Sequence, residues 1–536
     1  MLGMRFALIG EVQPDMSETF EMLIEPNGVP RGRAMLERAE WASRAFAKYD
    51  AATVWRIVEA AAAAGAAKAE EFAERAVVET GFGVAEHKLV KNLACSTGIV
   101  ATYRGHDYVS VEIDESKKIV SIPRPAGVIL ALTPSTNPVA TVYFKILLAL
   151  MTRNAIVISP HPYARKVCSD AARTMAEAAI AAGAPDGVIQ WVEEPSIPLI
   201  NALMTDERTD VIVATGGSAV VRAAYHSGNP AIGVGPGNVP VFVDRTADLQ
   251  KAAQRIVDSK SFDNSTLCTN ESVLIIEEQV ADRLLQHMQH HGAYLLTNDE
   301  RDRVRELLFP GGHFDVKFVG KDASWIAEQA GVRVGPRTRI LLAPFELPVP
   351  EEPLAHEKLC PVLGVLRVNS AQRGIQAACA ILRITGAGHS AAIHSTDPST
   401  IMNYGAAVRV LRVSVNVGNS LGSSGIETNL APTMTIGTGF FGRSSVGENL
   451  EPKHLVNWTR LAYNATAKEV MADFKNLNPW ESPTGPVPAY PQASNAIDQP
   501  QTASMPSDQL ATTGTEQLRD EIRRLIIEEL REIIEG

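Results

Sequence analysis

The sequence predicts an α/β fold built on parallel sheets with helices on both faces. Between residues 127 and 243, short runs rich in β-branched residues alternate with helical stretches, and strands and helices alternate again from about residue 247 to residue 439. Alternation of this kind is typical of parallel sheets joined by right-handed crossovers. The length of 536 residues allows roughly three to four domains at about 150 residues each.

Composition and charge narrow the class of protein. Hydrophobic residues at 45% and charged residues at 21% are ordinary globular usage and exclude a collagenous or mainly disordered chain. A net charge of −11 gives no general attraction to nucleic acid or to anionic lipid. The 5 cysteines, without a Cys-x-x-Cys pair, predict neither a disulfide framework nor a metal site.

The first segments are an N-terminal extension and a helical opening. Residues 1–30 lack the basic start and apolar run of a signal peptide, so we expect the cytoplasm of the cell and no membrane. From Arg31 to about Glu79, apolar residues recur at helical spacing, as in Met35, Ala39, Ala42 and Phe46. This opening and the first α/β stretch together predict one domain over residues 31–246.

That first α/β stretch contains alternating strands and helices. The predicted strands are Gly127–Leu132, Ala155–Ser159, Val188–Val192, Val211–Ala214 and Val241–Val243, and the predicted helices are Val139–Thr152, Tyr163–Ala182 and Ser218–Tyr225.

A second α/β domain is predicted over residues 247–440, followed by a return segment over 441–477. Its predicted strands are Ser272–Ile276, Arg339–Leu342, Val362–Leu366, Ala391–Ile393 and Val413–Val415.

The composition changes after Asn478. Residues 478–514 are rich in Pro, Ser, Thr, Gln and Ala, which predicts a disordered linker. Residues 515–536 return to a helical pattern, and an apolar stripe opposite a charged face is formed by Leu518, Ile522, Leu525, Ile526, Leu530 and Ile533. A stripe this apolar predicts a helix that binds a partner surface, although packing on the enzyme body or in a coiled coil is the structural alternative.

Cys268 is the cysteine whose position in the sequence favours a role as a nucleophile. It lies in a polar loop, residues 261–271, that runs directly into the strand Ser272–Ile276. A cysteine at a strand edge can be exposed, as a nucleophile requires, whereas Cys95, Cys168 and Cys379 are typical of small core residues.

Polar and glycine-rich turns follow several predicted strands. Asn137 lies between a strand and a helix, where open α/β sheets bind ligands, although a helix-cap asparagine is equally consistent. Thr215, Gly216, Gly217 and Ser218 open a helix after a strand, where backbone N–H groups can hold a pyrophosphate, or simply reverse the chain. The run 233–240 (GVGPGNVP) allows close backbone approach or builds a loop.

Together these segments resemble the CoA-acylating branch of the aldehyde dehydrogenase superfamily over roughly residues 101–463. The resemblance rests on ordered matches at residues 133–138 (TPSTNP), 153–162 (RNAIVISPHP), 214–217 (ATGG), 235–238 (GPGN), the Cys268 loop, 356–359 (HEKL), 388–390 (GHS) and 452–455 (PKHL). It implies a Rossmann-type dinucleotide-binding domain, an α/β catalytic domain and a small oligomerisation element of strands.

The resemblance also implies roles for single residues. Cys268 would attack the aldehyde and pass through a thioester, and Asn137 with the Cys268 backbone N–H would form the oxyanion hole. Glu357 would hold the nicotinamide ribose, and the turn at 215–218 would hold the pyrophosphate. Ser159 and His161 lie where hydrolytic members bind the adenosine ribose, so the choice between NAD and NADP stays open.

The resemblance further implies coenzyme A as the acyl acceptor. Hydrolytic relatives carry a glutamate base where this chain has residues 233–238 without a carboxylate. Water then lacks a base, whereas a thiol already supplies some thiolate near neutrality. A glutamate at Gly233 is expected to introduce some hydrolysis, if the backbone there tolerates a side chain. His389 is the candidate proton acceptor, with a structural histidine as the alternative.

The substrate and partners follow from the same resemblance. A short-chain aldehyde is expected, and Arg443 either recognises an anionic aldehyde such as sulfoacetaldehyde or is a surface arginine. Hydrolysis to free acid is the alternative reaction. Because little chain follows the aldehyde domain, no alcohol dehydrogenase domain is expected. Strands near 103–123 and 453–463 imply a homodimer or homotetramer, and the C-terminal helix resembles encapsulation peptides that bind the shell of bacterial microcompartments.

Overall fold

Helices form the beginning of the structure, a computed structural model that describes residues 28–466, 468, 470–480 and 489–490. These residues belong to one unit, Met1–Tyr490. Residues 1–27 of the predicted extension over 1–30 lie outside the described residues, as do the predicted C-terminal helix over 515–536 and nearly all of the predicted linker. The opening helices are α1 (Val29–Phe46), α2 (Ala51–Ala67), α3 (Ala69–Thr80), α4 (Ala85–Leu93) and α5 (Ile99–Tyr103). Ala39, Ala42 and Phe46 are fully buried, as their spacing predicts.

The first α/β stretch folds into a parallel sheet. In chain order, its region contains β1 (Glu112–Asp114), β2 (Ile119–Pro125), β3 (Val128–Thr133), α6 (Pro138–Met151), β4 (Ala155–Pro160), α7 (Arg165–Ala181), β5 (Ile189–Trp191), α8 (Ile197–Thr205), β6 (Val211–Thr215), α9 (Ser218–His226) and β7 (Ala231–Val234). The first sheet has the order β5-β4-β3-β6-β7. All of its strands are parallel, and the order in which successive strands are added reverses between β3 and β6. Such sheets leave a crevice for ligands at this point.

The second α/β stretch forms another parallel sheet. In chain order, it contains β8 (Val239–Val243), α10 (Leu249–Ser261), β9 (Glu271–Glu277), α11 (Glu278–His290), β10 (Ala293–Leu295), α12 (Asn298–Leu308), α13 (Ala323–Gln329), β11 (Ile340–Pro344), β12 (Val362–Val368), α14 (Ala371–Ile384), β13 (Ala391–His394), α15 (Pro398–Ala407), β14 (Val413–Val415) and α16 (Asn419–Gly422).

The second sheet has the order β10-β11-β12-β9-β8-β13-β14. Strand β8 belongs to it, so the chain passes between the sheets at residues 235–238 rather than at the predicted boundary of 246. Separate apolar clusters cover the faces of the second sheet.

A small antiparallel sheet completes the described chain. Strand β15 (Val456–Ala462) pairs with β2, and β2 pairs with β1. Most side chains of β15 are exposed and its other edge is unpaired within the described residues. No helix in the described part of the chain is both long enough and apolar enough to cross a bilayer.

Helix α6 lies at the centre of the fold, and every one of its residues is buried. Its one charged residue, Lys145, donates to the carbonyl oxygens of Leu132 in β3 (2.7 Å) and Val213 in β6 (2.8 Å). A buried ammonium thus joins β3 and β6, the parallel strands between which the strand order reverses. Burial without a carboxylate partner lowers the pKa of Lys145 well below its usual value.

Candidate active site

A cavity of about 820 Å³ lies where the ends of the first-sheet strands meet the loops of the second sheet. One wall consists of the turns after β3, β4, β6 and β7, at Thr133–Asn137, Ser159–Pro162, Thr215–Gly217 and 234–236. Cys268 and Glu357 line the opposite wall. The cavity therefore occupies the crevice that the strand order of the first sheet predicts.

Most of the residues predicted for the site meet in this cavity. Its lining includes Cys268, Asn137, Ser159, His161, Thr215, Gly216, Gly217 and Glu357. Ser218 and His389 do not line it. Ser218 begins α9 with its side chain exposed, so its backbone remains at the helix N-terminus but its hydroxyl is outside the cavity.

The turn at Gly216 and Gly217 leaves room for a ligand near the N-terminus of α9. A Cβ built on Gly217 meets no atom within 4 Å, and one built on Gly216 meets only Val220 at 4.0 Å. Thr215 is fixed by a 3.1 Å hydrogen bond between its hydroxyl and that of Thr435. An open backbone at a helix N-terminus suits an anionic group such as a pyrophosphate.

The nucleophile loop has an unusual backbone. Asp263, Asn264 and Ser265 adopt positive φ of 49°, 49° and 65°, a conformation that costs about 1–2 kcal/mol for each residue other than glycine. Tertiary contacts hold it: Asn264 donates to Asp322 (2.9 Å), and Lys260 donates to Ser265 (2.8 Å). The loop then delivers Cys268, partly exposed, to the cavity.

Burial sets the acidity of the groups around Cys268. Desolvation, with a contribution from Glu357, raises the pKa of Cys268 to about 12, and the buried guanidinium of Arg412 opposes that shift. Desolvation also raises the pKa of Glu357 to about 8, against a 3.0 Å hydrogen bond from the Gly237 N–H. Among the described residues that line the cavity, Glu357 carries the only carboxylate.

Gly237 joins the two walls. A Cβ at this position would lie 2.2 Å from the Cys268 carbonyl oxygen and 3.2 Å from Glu357 Oε1. Glycine therefore lets the connection between β7 and β8 pack directly against the nucleophile. Gly235, two residues earlier, meets no atom within 4 Å of a built Cβ.

The alternative explanation of Asn137 as a helix cap does not fit. It occupies the N-cap position of α6, but its side chain makes no capping hydrogen bond. Its Oδ1 instead accepts a 2.5 Å hydrogen bond from Lys91, while its Nδ2 has only long contacts, to the Thr266 carbonyl (3.4 Å) and the Thr136 hydroxyl (3.3 Å). The amide N–H groups remain available beside the cavity.

Comparisons with known sequences show which proteins the chain is similar to. The model of the aldehyde dehydrogenase family matches residues 30–308. The bifunctional aldehyde-alcohol dehydrogenase AdhE of Escherichia coli K12 is 37% identical over 81% of this chain and 49% of its own length. The acetylating succinate-semialdehyde dehydrogenase of Clostridium kluyveri is 35% identical over 81% and 96%. The acylating sulfoacetaldehyde dehydrogenase of Cupriavidus necator is 35% identical over 80% and 88%.

The chain belongs to the aldehyde dehydrogenase family. It spans about half the length of the bifunctional relatives it matches. This confirms the family and the α/β fold class that the sequence predicts.

Solved structures of aldehyde dehydrogenases have the same fold. An acetylating enzyme from Geobacillus thermoglucosidasius superposes with a TM-score of 0.80 at 37% identity, over 82% of this chain and 98% of that one. A Rhodopseudomonas palustris propionaldehyde dehydrogenase with bound CoA and an acylated cysteine gives 0.72 at 29%, over 81% and 97%. A propionaldehyde dehydrogenase from a Clostridium phytofermentans fucose utilisation microcompartment gives 0.74 at 27%, over 82% and 98%.

The structure gives the surroundings of two predicted features of this aldehyde dehydrogenase. His389 is fully buried, its Nδ1 lies 3.0 Å from the Ser390 hydroxyl, and burial with nearby Arg412 lowers its pKa to about 3. The role of His389 as proton acceptor stays a prediction. A Cβ at Gly233 would lie 2.6 Å from Val221 and 2.8 Å from Tyr225, so packing excludes a glutamate there, whereas Val234 lines the cavity.

Sequence reasoning missed the charged residues behind the site. Lys91, Asp263 and Arg412 are each at most 6% exposed. Lys91 lies on α4, more than forty residues before Asn137, which its ammonium contacts. The only signal in the sequence was that Lys91 lies on the inward face of an amphipathic helix. A lysine on a helix is usually a surface residue, so its role became visible only from the packing of the helix.

Proposed function

We propose that the chain oxidises a short-chain aldehyde to its acyl-CoA with NAD or NADP, through a thioester on Cys268. One observation carries the proposal: the cavity combines Cys268, the Asn137 amide and an open turn for a pyrophosphate, with Glu357 as its one carboxylate among the described residues. The bound CoA and acylated cysteine of the Rhodopseudomonas palustris relative support the same chemistry.

The first half-reaction uses Cys268 and Asn137. The Cys268 thiol first loses its proton, for which His389 is the proposed acceptor. The thiolate then attacks the carbonyl carbon and forms a C–S bond, while the C=O π bond breaks and the carbonyl oxygen becomes an oxyanion. Asn137 Nδ2 and the Cys268 backbone N–H donate to that oxygen. A bound nicotinamide supplies the hydride acceptor, and the thioester remains on Cys268.

Residues of this chain suit the dinucleotide. Backbone N–H groups of Thr215, Gly216 and Gly217 would hold the pyrophosphate. Glu357 would bind the nicotinamide ribose, and Ser159 and His161 would border the adenosine ribose.

The second half-reaction transfers the acyl group to CoA. At the end of β7, beside the cavity, the chain has Val234 in place of a carboxylate that could take a proton from water. The carboxylate of Glu357 accepts a hydrogen bond from the Gly237 N–H. Water, with a pKa of about 16, needs such a base, whereas a thiol with a pKa of about 8–9 does not. The CoA thiolate adds to the thioester carbonyl, and Cys268 leaves as the thiolate.

An assay with and without CoA tests the reaction. Purified protein with propionaldehyde and NAD or NADP should give one turnover of NAD(P)H without CoA and continuous turnover with it. Free acid produced equally fast without CoA would favour the hydrolytic alternative and overturn the proposal.

The aldehyde itself is proposed to be short and uncharged. Arg443 is exposed and does not line the cavity. Arg412, whose Nη2 donates to the carbonyls of Gly437 and Gly447, does not line it either. An anionic aldehyde remains the alternative, since the Clostridium kluyveri and Cupriavidus necator relatives act on such substrates. Comparing kcat/KM for acetaldehyde, propionaldehyde and sulfoacetaldehyde decides between them.

A homodimer or homotetramer is part of the proposal. The small sheet ends in β15, whose outer edge and exposed side chains suit pairing with another subunit. Light scattering should give a multiple of 57.7 kDa, and a stable monomer would contradict the proposal.

Residues 478–536 are proposed to direct the enzyme into a bacterial microcompartment. The support is the apolar stripe of residues 515–536 and the microcompartment relative of Clostridium phytofermentans. A fluorescent reporter fused to residues 515–536 should co-localise with co-expressed shell proteins. Diffuse fluorescence like that of the reporter alone would refute this, and loss of activity on deleting the tail would favour a helix packed on the enzyme.

A further inference from the structure

A buried cluster of charges connects α4, the nucleophile loop and Asn137. Lys88 and Lys91 on α4 both donate to the carboxylate of Asp263, and the side chains of all three are at most 3% exposed. Thr266 donates to the same carboxylate (2.6 Å), and the Val84 N–H donates to its other oxygen (2.7 Å). Both carboxylate oxygens of Asp263 therefore accept hydrogen bonds from other residues of the fold, five residues before the nucleophile.

The two lysines make different second contacts. Lys88 Nζ donates to the backbone carbonyl of Thr136 (3.1 Å), whereas Lys91 Nζ donates to Asn137 Oδ1 (2.5 Å). An ammonium has donors and no acceptor, so only the oxygen of the Asn137 amide can face Lys91. The rotation of the amide is fixed, and Nδ2 must lie on the opposite side.

The charge balance of the cluster adds to this constraint. Burial opposes ionisation of Asp263, but Lys91 and Lys88 outweigh it and hold the pKa of the carboxyl below its usual value. Burial lowers the pKa of Lys91 to about 8, against the attraction of Asp263. Two cations and one anion leave a net positive charge next to the amide, which polarises its N–H groups toward a developing oxyanion.

We propose that Lys91 is a positioning residue for catalysis: it orients and polarises the Asn137 amide so that Nδ2 donates to the oxyanion formed at Cys268. Asp263 pairs with Lys91 and lies in the loop that carries Cys268. It therefore fixes the position of the Asn137 amide relative to Cys268. This inference rests on the proposed function for Cys268 and Asn137.

A double-mutant cycle tests the inference on the burst of NADH from propionaldehyde without CoA. That burst reports only the first half-reaction, so it is independent of whether CoA or water accepts the acyl group. Lys91→Met should slow the burst by about 10–100-fold and Asn137→Ala by about 100–1,000-fold. The double variant should be no slower than Asn137→Ala, because Lys91 acts only through that amide.

Lys88→Met is the matched control. It removes a cation from the same buried carboxylate but has no bond to Asn137, so its effect on the burst should multiply with that of Asn137→Ala. A further loss on adding Lys91→Met to Asn137→Ala, of the size seen in the wild-type background, would overturn the proposal. The proposal would also be overturned if Lys91→Met changed the KM for NAD by as large a factor as it changed the burst rate.

Folding is monitored separately. Alkylation of Cys268 by iodoacetamide forms no oxyanion, so its rate should differ by less than about 3-fold between folded Lys91→Met and wild type. If Lys91→Met does not fold, the cycle is measured with Lys91→Arg, which keeps the charge and N–H donors, and any loss it causes must again disappear in the Asn137→Ala background. A wild type without any burst would refute the proposed function itself, a result separate from every outcome of the cycle.

Discussion

The walls of the cavity contribute different chemistry. The first sheet offers turns with open backbone at Thr215–Gly217 and neutral side chains such as Asn137 and Ser159. The second sheet offers ionisable groups whose pKa values are moved by burial, Cys268 and Glu357, backed by Arg412. A wall that binds a dinucleotide needs close approach and N–H donors, whereas a wall that performs covalent chemistry needs reactive groups held out of water.

The largest effect is expected on the second-sheet wall. Cys268→Ala should reduce aldehyde oxidation by at least about 10,000-fold, because no thioester can form. Binding of NAD, measured by calorimetry, should stay within about 3-fold of wild type, since the first sheet is intact. Appreciable CoA-dependent turnover by the variant would direct attention to the other cysteines.

The first-sheet wall contributes one residue to the chemistry, and its loss should rank second. Asn137→Ala should lower kcat by about 100–1,000-fold with little change in the KM for NAD, because one oxyanion donor is lost. Steady-state kinetics measure both. Asn137→Asp, which is nearly isosteric but lacks the donor, should show the same loss, and retention of activity in it would contradict the assigned role.

The connection between the walls provides a matched pair of glycines. Gly237→Ala should destabilise the protein by about 2–3 kcal/mol and reduce kcat more than 10-fold, because the new methyl group meets the Cys268 carbonyl. Gly235→Ala should change the free energy of unfolding by less than about 1 kcal/mol, since its built Cβ meets nothing within 4 Å. Equal unfolding midpoints in urea for both variants would contradict this packing.

A carboxylate at Val234 would give the first-sheet wall an ionisable group, which the described residues of that wall lack apart from His161. Val234→Glu is expected to raise the release of free acid without CoA by about 10-fold, because a base would then stand beside the cavity. Val234→Gln, of similar size without a carboxylate, is the control. Equal acid release from both variants would show that water is excluded for another reason.

The smallest effect concerns the charge on the second-sheet wall. Glu357 raises the pKa of Cys268, so Glu357→Gln should lower that pKa by less than about 1 unit. Because the pKa of Glu357 is itself about 8, the carboxylate is charged mainly above that pH. The variant should therefore react faster with iodoacetamide chiefly above about pH 8, and an equal gain at pH 6 would contradict this cause.

The pattern of strands and helices was predictable, and so was most of the cavity wall. Predicted strands such as Ala155–Ser159 and Val362–Leu366 occur at those positions, because continuous apolar runs between turn residues leave few alternatives. Strand β7 was not predicted, because it is short and runs into the glycine-rich segment 233–240, which resembles a loop. Residues that follow strands, including Asn137 and Thr215, met in one cavity because parallel strands end at a common edge.

The sequence by itself determined the reactive inventory and the family: a cysteine in a polar loop, polar turns after strands and no carboxylate at 233–238. Only the tertiary structure decided how these groups are held. The left-handed backbone at Asp263, the inward position of Lys91 and the buried state of His389 depend on contacts between segments far apart in the chain. Local sequence sets spacing and propensity, but burial, charge pairing and pKa depend on neighbours that only the folded chain brings together.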